Sequence, residues 1–254
     1  MSRIQIETLG KSFDGRHVLQ NISLALEPGR SLALIGPTAA GKTVLLKCVV
    51  GLYAPDQGTI RIDGADVTSP DMRTETLDDR IGMLFQQNAL FDSLSVWENI
   101  GFRLMARGST RAAARARAEE LLPQVGLPIE AADLFPADLS GGMQKRVGFA
   151  RAIATAPDIL LLDNPTAGLD PILAARIDAM ISSLARKNGA TVISATGKMV
   201  SLTQAYDDIA VLHDGALRWH GDADRARKDD NPWLRQLLSG SRAGPIEANN
   251  IEAQ

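Results

Sequence analysis

Short apolar runs broken by glycine and proline alternate with longer stretches of helical period along most of this chain. Ile4 to Leu9 and Val18 to Leu26 alternate apolar with polar or small residues, which predicts two half-buried strands on either side of the Asp14-Gly15 turn. Ser31 to Ile35, Ile81 to Phe85, Ile159 to Leu162 and Thr191 to Ser194 are apolar nearly throughout, as in strands buried on both faces. Thr59 to Ile62 adds a strand ending at Asp63-Gly64, and Ile209 to Leu212 with Ala216 to Trp219 adds a hairpin about Asp214-Gly215. Helical stretches follow the buried strands: Val44 to Val50, Lys145 to Ala156, and a helix opened by Pro171 that runs to about Lys187. Strands alternating with helices in this way predict an α/β fold with a largely parallel sheet.

One segment departs from the alternation. From Trp97 to about Phe135 the chain turns Ala- and Arg-rich, and Ser109 to Leu122 has a helical period with few β-branched residues. Pro123, Gly126 and Pro128 end it, so it is expected to be a helical insertion in the α/β domain. Arg103, Arg107, Arg111 and Arg115 recur four apart and predict one basic, solvated helical face. Trp233 to Leu238 predicts a short apolar helix, and the last dozen or so residues a flexible tail.

Chemistry concentrates at the ends of the buried strands. Gly36-Pro37-Thr38-Ala39-Ala40-Gly41-Lys42-Thr43 fits G-x-x-x-x-G-K-[ST] between a strand and a helix. In that context Gly36 and Gly41 allow the tight turn that aims consecutive N–H groups at phosphate oxygens. The helix start adds partial positive charge, Lys42 reaches the terminal phosphates, and the Thr43 hydroxyl can hold Mg²⁺. Gln86 is a polar amide ending an apolar strand, placed to face a ligand crevice. Ser140-Gly141-Gly142 caps a helix and offers a second anion site by the same physics. Asp163 terminates Leu160-Leu161-Leu162, the geometry of an acid that supports Mg²⁺ from the top of a parallel strand. Phe13 is expected either to pack in the core or at the strand edge, or to give a face to an adenine ring.

Composition narrows the classes. The chain has 254 residues, 45% of them hydrophobic, and a formal net charge of −3, which gives no electrostatic case for nucleic acid. Cys48 is the only cysteine, so neither a disulfide nor a Cys-based metal site is expected, and a reducing compartment is. No signal peptide and no apolar run of membrane-spanning length is expected, so work at a membrane would pass through a partner.

Taken in order, GPTAAGKT, Gln86 after a strand, LSGGMQ opening a helix, LLLD closing a strand and then AGLD resemble the nucleotide-binding subunit of an ABC transporter over about residues 3 to 240. The resemblance implies a P-loop NTPase core of ABC type with an antiparallel β edge and a helical subdomain at about 95–156, one ATP-binding domain over 1–240, and a tail over 241–254. It implies ATP and Mg²⁺ as ligands. By it, Phe13 stacks on adenine, Gly36, Pro37, Thr38, Ala39, Ala40, Gly41, Lys42 and Thr43 cradle phosphate, and Gln86 senses Mg²⁺ and the attacking water. Ser140, Gly141 and Gly142 then bind the nucleotide of an opposite subunit, Asp163 supports Mg²⁺, and Asp170 lies at the dimer interface. The implied partners are a second cassette, as homodimer or heterodimer, and an integral membrane permease, with the subunit peripheral on the cytoplasmic face of the inner membrane. Ile81 to Gln86, the following Ala89-Leu90-Phe91, LSGGM, and the segment Asn231-Pro232 to Leu238 are most similar to the ATPases of Mla-type lipid transporters, which adds a lipid cargo and a lipid-binding envelope protein.

Two positions break that pattern, and both concern hydrolysis. Asp163-Asn164 stands where the family has Asp-Glu, and Thr196-Gly197-Lys198 where it has Thr-His-Asp. Asn164 cannot accept a proton at neutral pH, and Gly197 supplies no side-chain hydrogen bond to a terminal phosphate. Ala39 is a milder departure, at a loop position where the family has glycine or another small residue. The expectation is a subunit that binds Mg-ATP and dimerises but hydrolyses slowly or not at all. The alternative is a non-catalytic ATP-gated clamp or regulatory partner.

Overall fold

The structure is a computed structural model that describes residues 2–69, 71, 77, 79–87, 89–197, 199 and 202–246. Lys198 and the end of the tail, 247–254, lie outside the described residues. The N-terminal strands β1 (Ile4–Phe13) and β2 (Arg16–Leu26) pair antiparallel about the Asp14-Gly15 turn. Strand β3 (Ser31–Ile35) leads into helix α1 (Lys42–Val49), after which β4 (Gln57–Ile62) and β5 (Ala65–Asp66) join β1 in a four-stranded antiparallel sheet of order β2-β1-β4-β5. The apolar faces of that sheet pack on one side of the central sheet together with α1.

The central sheet is built from the apolar runs. Strands β6 (Ile81–Leu84), β7 (Ile159–Asp163), β8 (Thr191–Ala195) and β9 (Asp208–His213) run parallel with β3, and β10 (Ala216–Asp222) is antiparallel at the edge. The order is β10-β9-β3-β8-β7-β6. Strands β3, β7 and β8 are buried at every residue, which explains why their sequences are apolar rather than alternating. Gln20 N–H donates to Gly215 C=O at 2.8 Å and ties the two sheets together near the ends of their turns.

Between β6 and β7 lie the helices α2 (Val96–Ala106), α3 (Arg111–Gln124) and α4 (Gly141–Ile153). Ser95 and Glu98 form a capping box at the start of α2, and Thr110 Oγ1 accepts from Ala113 N–H at the start of α3. Asn99, fully buried in α2, binds both the N–H and the C=O of Phe91 and so fixes the loop leading into the helices. The expected continuous basic face does not form. Arg107-Gly108-Ser109-Thr110 is a break, with Arg103 and Arg107 on one side and Arg111 and Arg115 on the other. Arg107 pairs with Asp79, Arg111 with Glu98, and Arg115 with Glu119 and Asp133, while the guanidinium groups of Arg111 and Arg115 lie over Trp97. A spacing of four is a face only where the helix is unbroken.

Helix α5 (Pro171–Asn188) packs against the sheet, followed by the short helices α6 (Leu202–Ala205) and α7 (Ala223–Ala226) and by α8 (Pro232–Ser239). Residues 241–246 do not leave the surface freely. Gln236, largely buried, donates to the carbonyls of Ser241 and Ile246 and accepts from Ile246 N–H at 2.7 Å. Free-tail composition is overridden here by one side-chain amide that pins the backbone. Among the described residues no helix is long and apolar enough to cross a membrane.

Candidate functional site

The carboxyl ends of the parallel strands converge on one open cleft of about 600 Å³. Strand β3 delivers the 36–41 loop, β6 delivers Gln86, β7 delivers Asn164 just after Asp163, and β8 delivers Gly197. Crevices in open α/β sheets form at this end because loops there diverge to opposite faces. Gly36, Thr38, Ala39, Ala40, Gly41, Lys42 and Thr43 line the cleft together with Gln86, Asn164 and Gly197.

The loop's two glycines are forced by space as well as by turning. A Cβ at Gly36 would sit 2.0 Å from the carbonyl oxygen of Leu212, and one at Gly41, whose φ is 101°, would meet Leu19 at 2.8 Å and the Val18 carbonyl at 2.9 Å. Helix α1 begins directly after, with no side chain capping its first N–H groups, which leaves donors for an anion at the loop. Lys42 Nζ donates to the carbonyls of Gly36 and Pro37, both at 2.7 Å, which holds the ammonium inside the loop. Burial lowers the Lys42 pKa, opposed by the charge of Asp163.

Asp163 is 1% exposed, and its Oδ1 is buried with no hydrogen-bond partner. Burial pushes its carboxyl above the ordinary aspartate value, against a hydrogen bond from Thr43 and the charges of Lys42, Lys47 and Lys145. An orphaned buried carboxylate oxygen beside a threonine hydroxyl and a lysine suits a divalent cation carried in with a polyphosphate, so the donor set fits Mg²⁺. A group with a raised folded pKa contributes stability that is present below its unfolded pKa and lost as pH rises through the folded one. Asp163→Asn is therefore expected to raise the melting temperature of nucleotide-free protein at neutral pH, with the gain fading towards pH 4. A lower melting point for the variant at pH 7 would contradict this.

Ala39 holds φ at +62°, a left-handed conformation disfavoured by a Cβ. Ala39→Gly relieves about 1–2 kcal/mol of strain and returns part of it as unfolded-chain entropy, so a net gain of up to about 1 kcal/mol is expected in denaturant melts. A destabilised variant would show that Ala39 packs usefully.

Several expected residues lie outside the cleft lining. Phe13 is 38% exposed and stands edge-on to Tyr53, ring centroids 5.2 Å apart, with Lys11 over its face; the neighbouring wall is made by Arg16, His17, Val18 and Gln20. Pro37 contributes its carbonyl to Lys42 rather than a surface to the cleft. Ser140 caps α4, its Oγ accepting from Met143 N–H at 3.3 Å, and Ser140, Gly141 and Gly142 are not among the residues that line this chain's own cleft. Asp170 caps α5, its Oδ1 accepting from Ile172 and Leu173 N–H, both at 3.0 Å. The sequence reading missed Arg16, His17, Gln20, Asp214 and Gly215, brought to the rim by the two hairpin turns. Their only local signal is the pair of Asp-Gly turns, which says nothing about what the turns approach.

Comparison with known proteins agrees with this arrangement. The family model described as ABC transporter matches residues 19–167. The protein TRIGALACTOSYLDIACYLGLYCEROL 3, chloroplastic, of Arabidopsis thaliana is 35% identical over 96% of this chain and 75% of its own length. A probable amino-acid ABC transporter ATP-binding protein of Haemophilus influenzae is 37% identical over 89% of this chain and 90% of its own. A probable ribonucleotide transport ATP-binding protein, Mkl, of Mycobacterium leprae is 34% identical over 96% of this chain and 70% of its own. Among solved structures, the ATP-binding cassette MJ0796, a dimer in a post-hydrolysis state bound to ADP and Pi, superposes with a TM-score of 0.81 at 28% identity over 87% of this chain and 98% of that one. With its phosphate loop, strand-end cleft and helix-capping Ser-Gly-Gly in one fold, the chain belongs to the ABC transporter family as an ATP-binding cassette.

Proposed function

We propose that this cassette, residues 1–240 with a tail over 241–254, binds Mg-ATP between two copies or between itself and a related cassette, and hydrolyses it weakly. The observation that carries the reading is the cleft wall, which a complete phosphate-binding loop shares with Asn164 and Gly197. The 36–43 loop and Lys42 hold the phosphates, Thr43, Gln86 and Asp163 hold Mg²⁺, and the Ser140-Gly141-Gly142 cap serves the partner's nucleotide. Phe13 stacks on adenine once its ring leaves Tyr53. The metal supplies charge neutralisation on the phosphates; Asn164 can orient a water but cannot take its proton. The dimeric MJ0796 cassette supports the pairing.

A non-catalytic clamp is favoured by one specific observation. Asn164 has φ +51°, a conformation asparagine tolerates better than glutamate. This backbone therefore suits the asparagine present better than the longer acid.

The cargo is a lipid of the kind moved by Mla-type systems, handled by the permease rather than by this subunit. Supporting this are the apolar segment after Gln86 and a relative named for trigalactosyldiacylglycerol, although other relatives are named for amino-acid and ribonucleotide transport. The permease contact is the face where Phe91 and Phe102 stand exposed with centroids 4.6 Å apart, beside the loop from Gln86. Affinity capture from membranes with ATP is expected to recover a permease carrying bound phospholipid, identified by mass spectrometry. Phe91→Asp is expected to lose the permease while keeping ATP affinity. A permease loaded with an amino acid or nucleotide would overturn the lipid reading; capture undiminished by Phe91→Asp would move the contact elsewhere.

A further inference from the structure

Lys145 is the fifth residue of α4 and is 8% exposed. A buried ammonium is tolerated only where its protons find acceptors. Here Nζ donates to two backbone carbonyls, of Asn164 at 3.2 Å and Ala167 at 2.9 Å. Both belong to the turn that joins β7 to α5. The turn is tight in itself, with Ala167 N–H on the same Asn164 carbonyl and Leu169 N–H on that of Thr166. It touches α4 a second time: Leu169 Cδ2 lies 3.4 Å from where a Cβ on Gly142 would be.

One end of this turn, Asn164, is a wall of the cleft. One end of the helix, Ser140 to Gly142, is surface outside that cleft. We infer that Lys145 is a positioning residue: its ammonium is a strut through which the setting of the cleft wall at Asn164 is transmitted to the Ser140-Gly141-Gly142 helix start of the same chain. The inference rests on the reading that nucleotide occupies the cleft. A lysine suits the task because it offers several donors on one atom and so holds two carbonyls of one turn at once. Asp163, just before the turn, opposes the lowering of the Lys145 pKa by burial and helps to keep the ammonium charged.

The test is amide hydrogen exchange by mass spectrometry on the full chain, with and without Mg-ATP, at a concentration where light scattering reports monomers. In wild-type protein Mg-ATP is expected to slow exchange in 163–170 and in 140–146 together. In Lys145→Met the 140–146 response is expected to be lost while 163–170 still responds, each variant being compared at saturating nucleotide so that a change in Kd from the charge lost near Asp163 does not enter the comparison. Lys145→Arg is expected to restore the paired response, and Lys145→Gln, whose amide nitrogen stops one bond short of the ammonium position and so cannot span both carbonyls, covers the case in which the methionine variant fails to fold. A 140–146 response that persists in Lys145→Met or Lys145→Gln would overturn the strut. So would faster exchange throughout α4 equally with and without ATP, the mark of a merely structural residue. A wild-type response in 163–170 alone also overturns the strut but leaves nucleotide binding standing. No response anywhere removes both.

Discussion

Asn164→Glu combined with Gly197→His is expected to raise steady-state phosphate release by about a hundred- to ten-thousand-fold, the usual effect of a positioned proton acceptor. The structure leaves room for the change. A Cβ built at Gly197 meets nothing within 4 Å among the described residues, so a side chain can start there without a backbone clash. Asn164 already lines the cleft, and a glutamate there is one methylene longer, directed at the same space. The single substitutions are expected to give much less than the product of their effects, because base and histidine serve one step. The gain has a stability cost: a glutamate at φ +51° loses the local tolerance of asparagine, about 1 kcal/mol, so the doubly restored protein should melt lower while turning over faster. Measured phosphate release that stays at the wild-type level would assign this chain to the clamp class and end the description of it as a weakened motor.

Lys42→Met is expected to weaken ATP binding by roughly tenfold to more than a hundredfold, as loss of a charge-assisted contact to phosphate costs about 1.5–3 kcal/mol or more. Lys42 is held by the Gly36 and Pro37 carbonyls within a loop whose glycines cannot accept side chains. Its ammonium is thus already confined within the loop, and little ordering remains to be done on binding. Calorimetric titration gives the affinity directly. Thermal melts give an independent reading: saturating ATP stabilises a binder by about 2.7 kcal/mol at a hundred times Kd, and the variant should lose that increment at the same ATP concentration. An unchanged Kd in Lys42→Met would show that nucleotide does not use this loop.

Much of the architecture is legible in the residues themselves. The apolar runs at 31–35, 81–84, 159–163 and 191–195 are all strands of the central sheet, and the helical periods read from Val44, Lys145 and Pro171 belong to helices that begin at Lys42, Gly141 and Pro171. These signals are local: burial on both faces demands continuous apolar sequence, and a cap must lie within a few residues of the N–H groups it satisfies. The arginine spacing misled because period carries no information about where a helix is interrupted, and Gly108 interrupts this one. Composition likewise cannot register that Gln236 binds the backbone at Ser241 and Ile246, at the start of the tail segment.

The sequence by itself determined most of the elements and the G-x-x-x-x-G-K-[ST] loop between a strand and a helix, and it places Asn164 and Gly197 where the resemblance expects glutamate and histidine. Only the tertiary structure decided that Gln86, Asn164 and Gly197 share one cleft with that loop, that Phe13 rests against Tyr53, and that Lys145 joins the helix start to the cleft wall. The reason is physical: these meetings follow from the strand order β10-β9-β3-β8-β7-β6, which brings distant segments side by side, whereas propensity, capping and loop chemistry act over only a few residues.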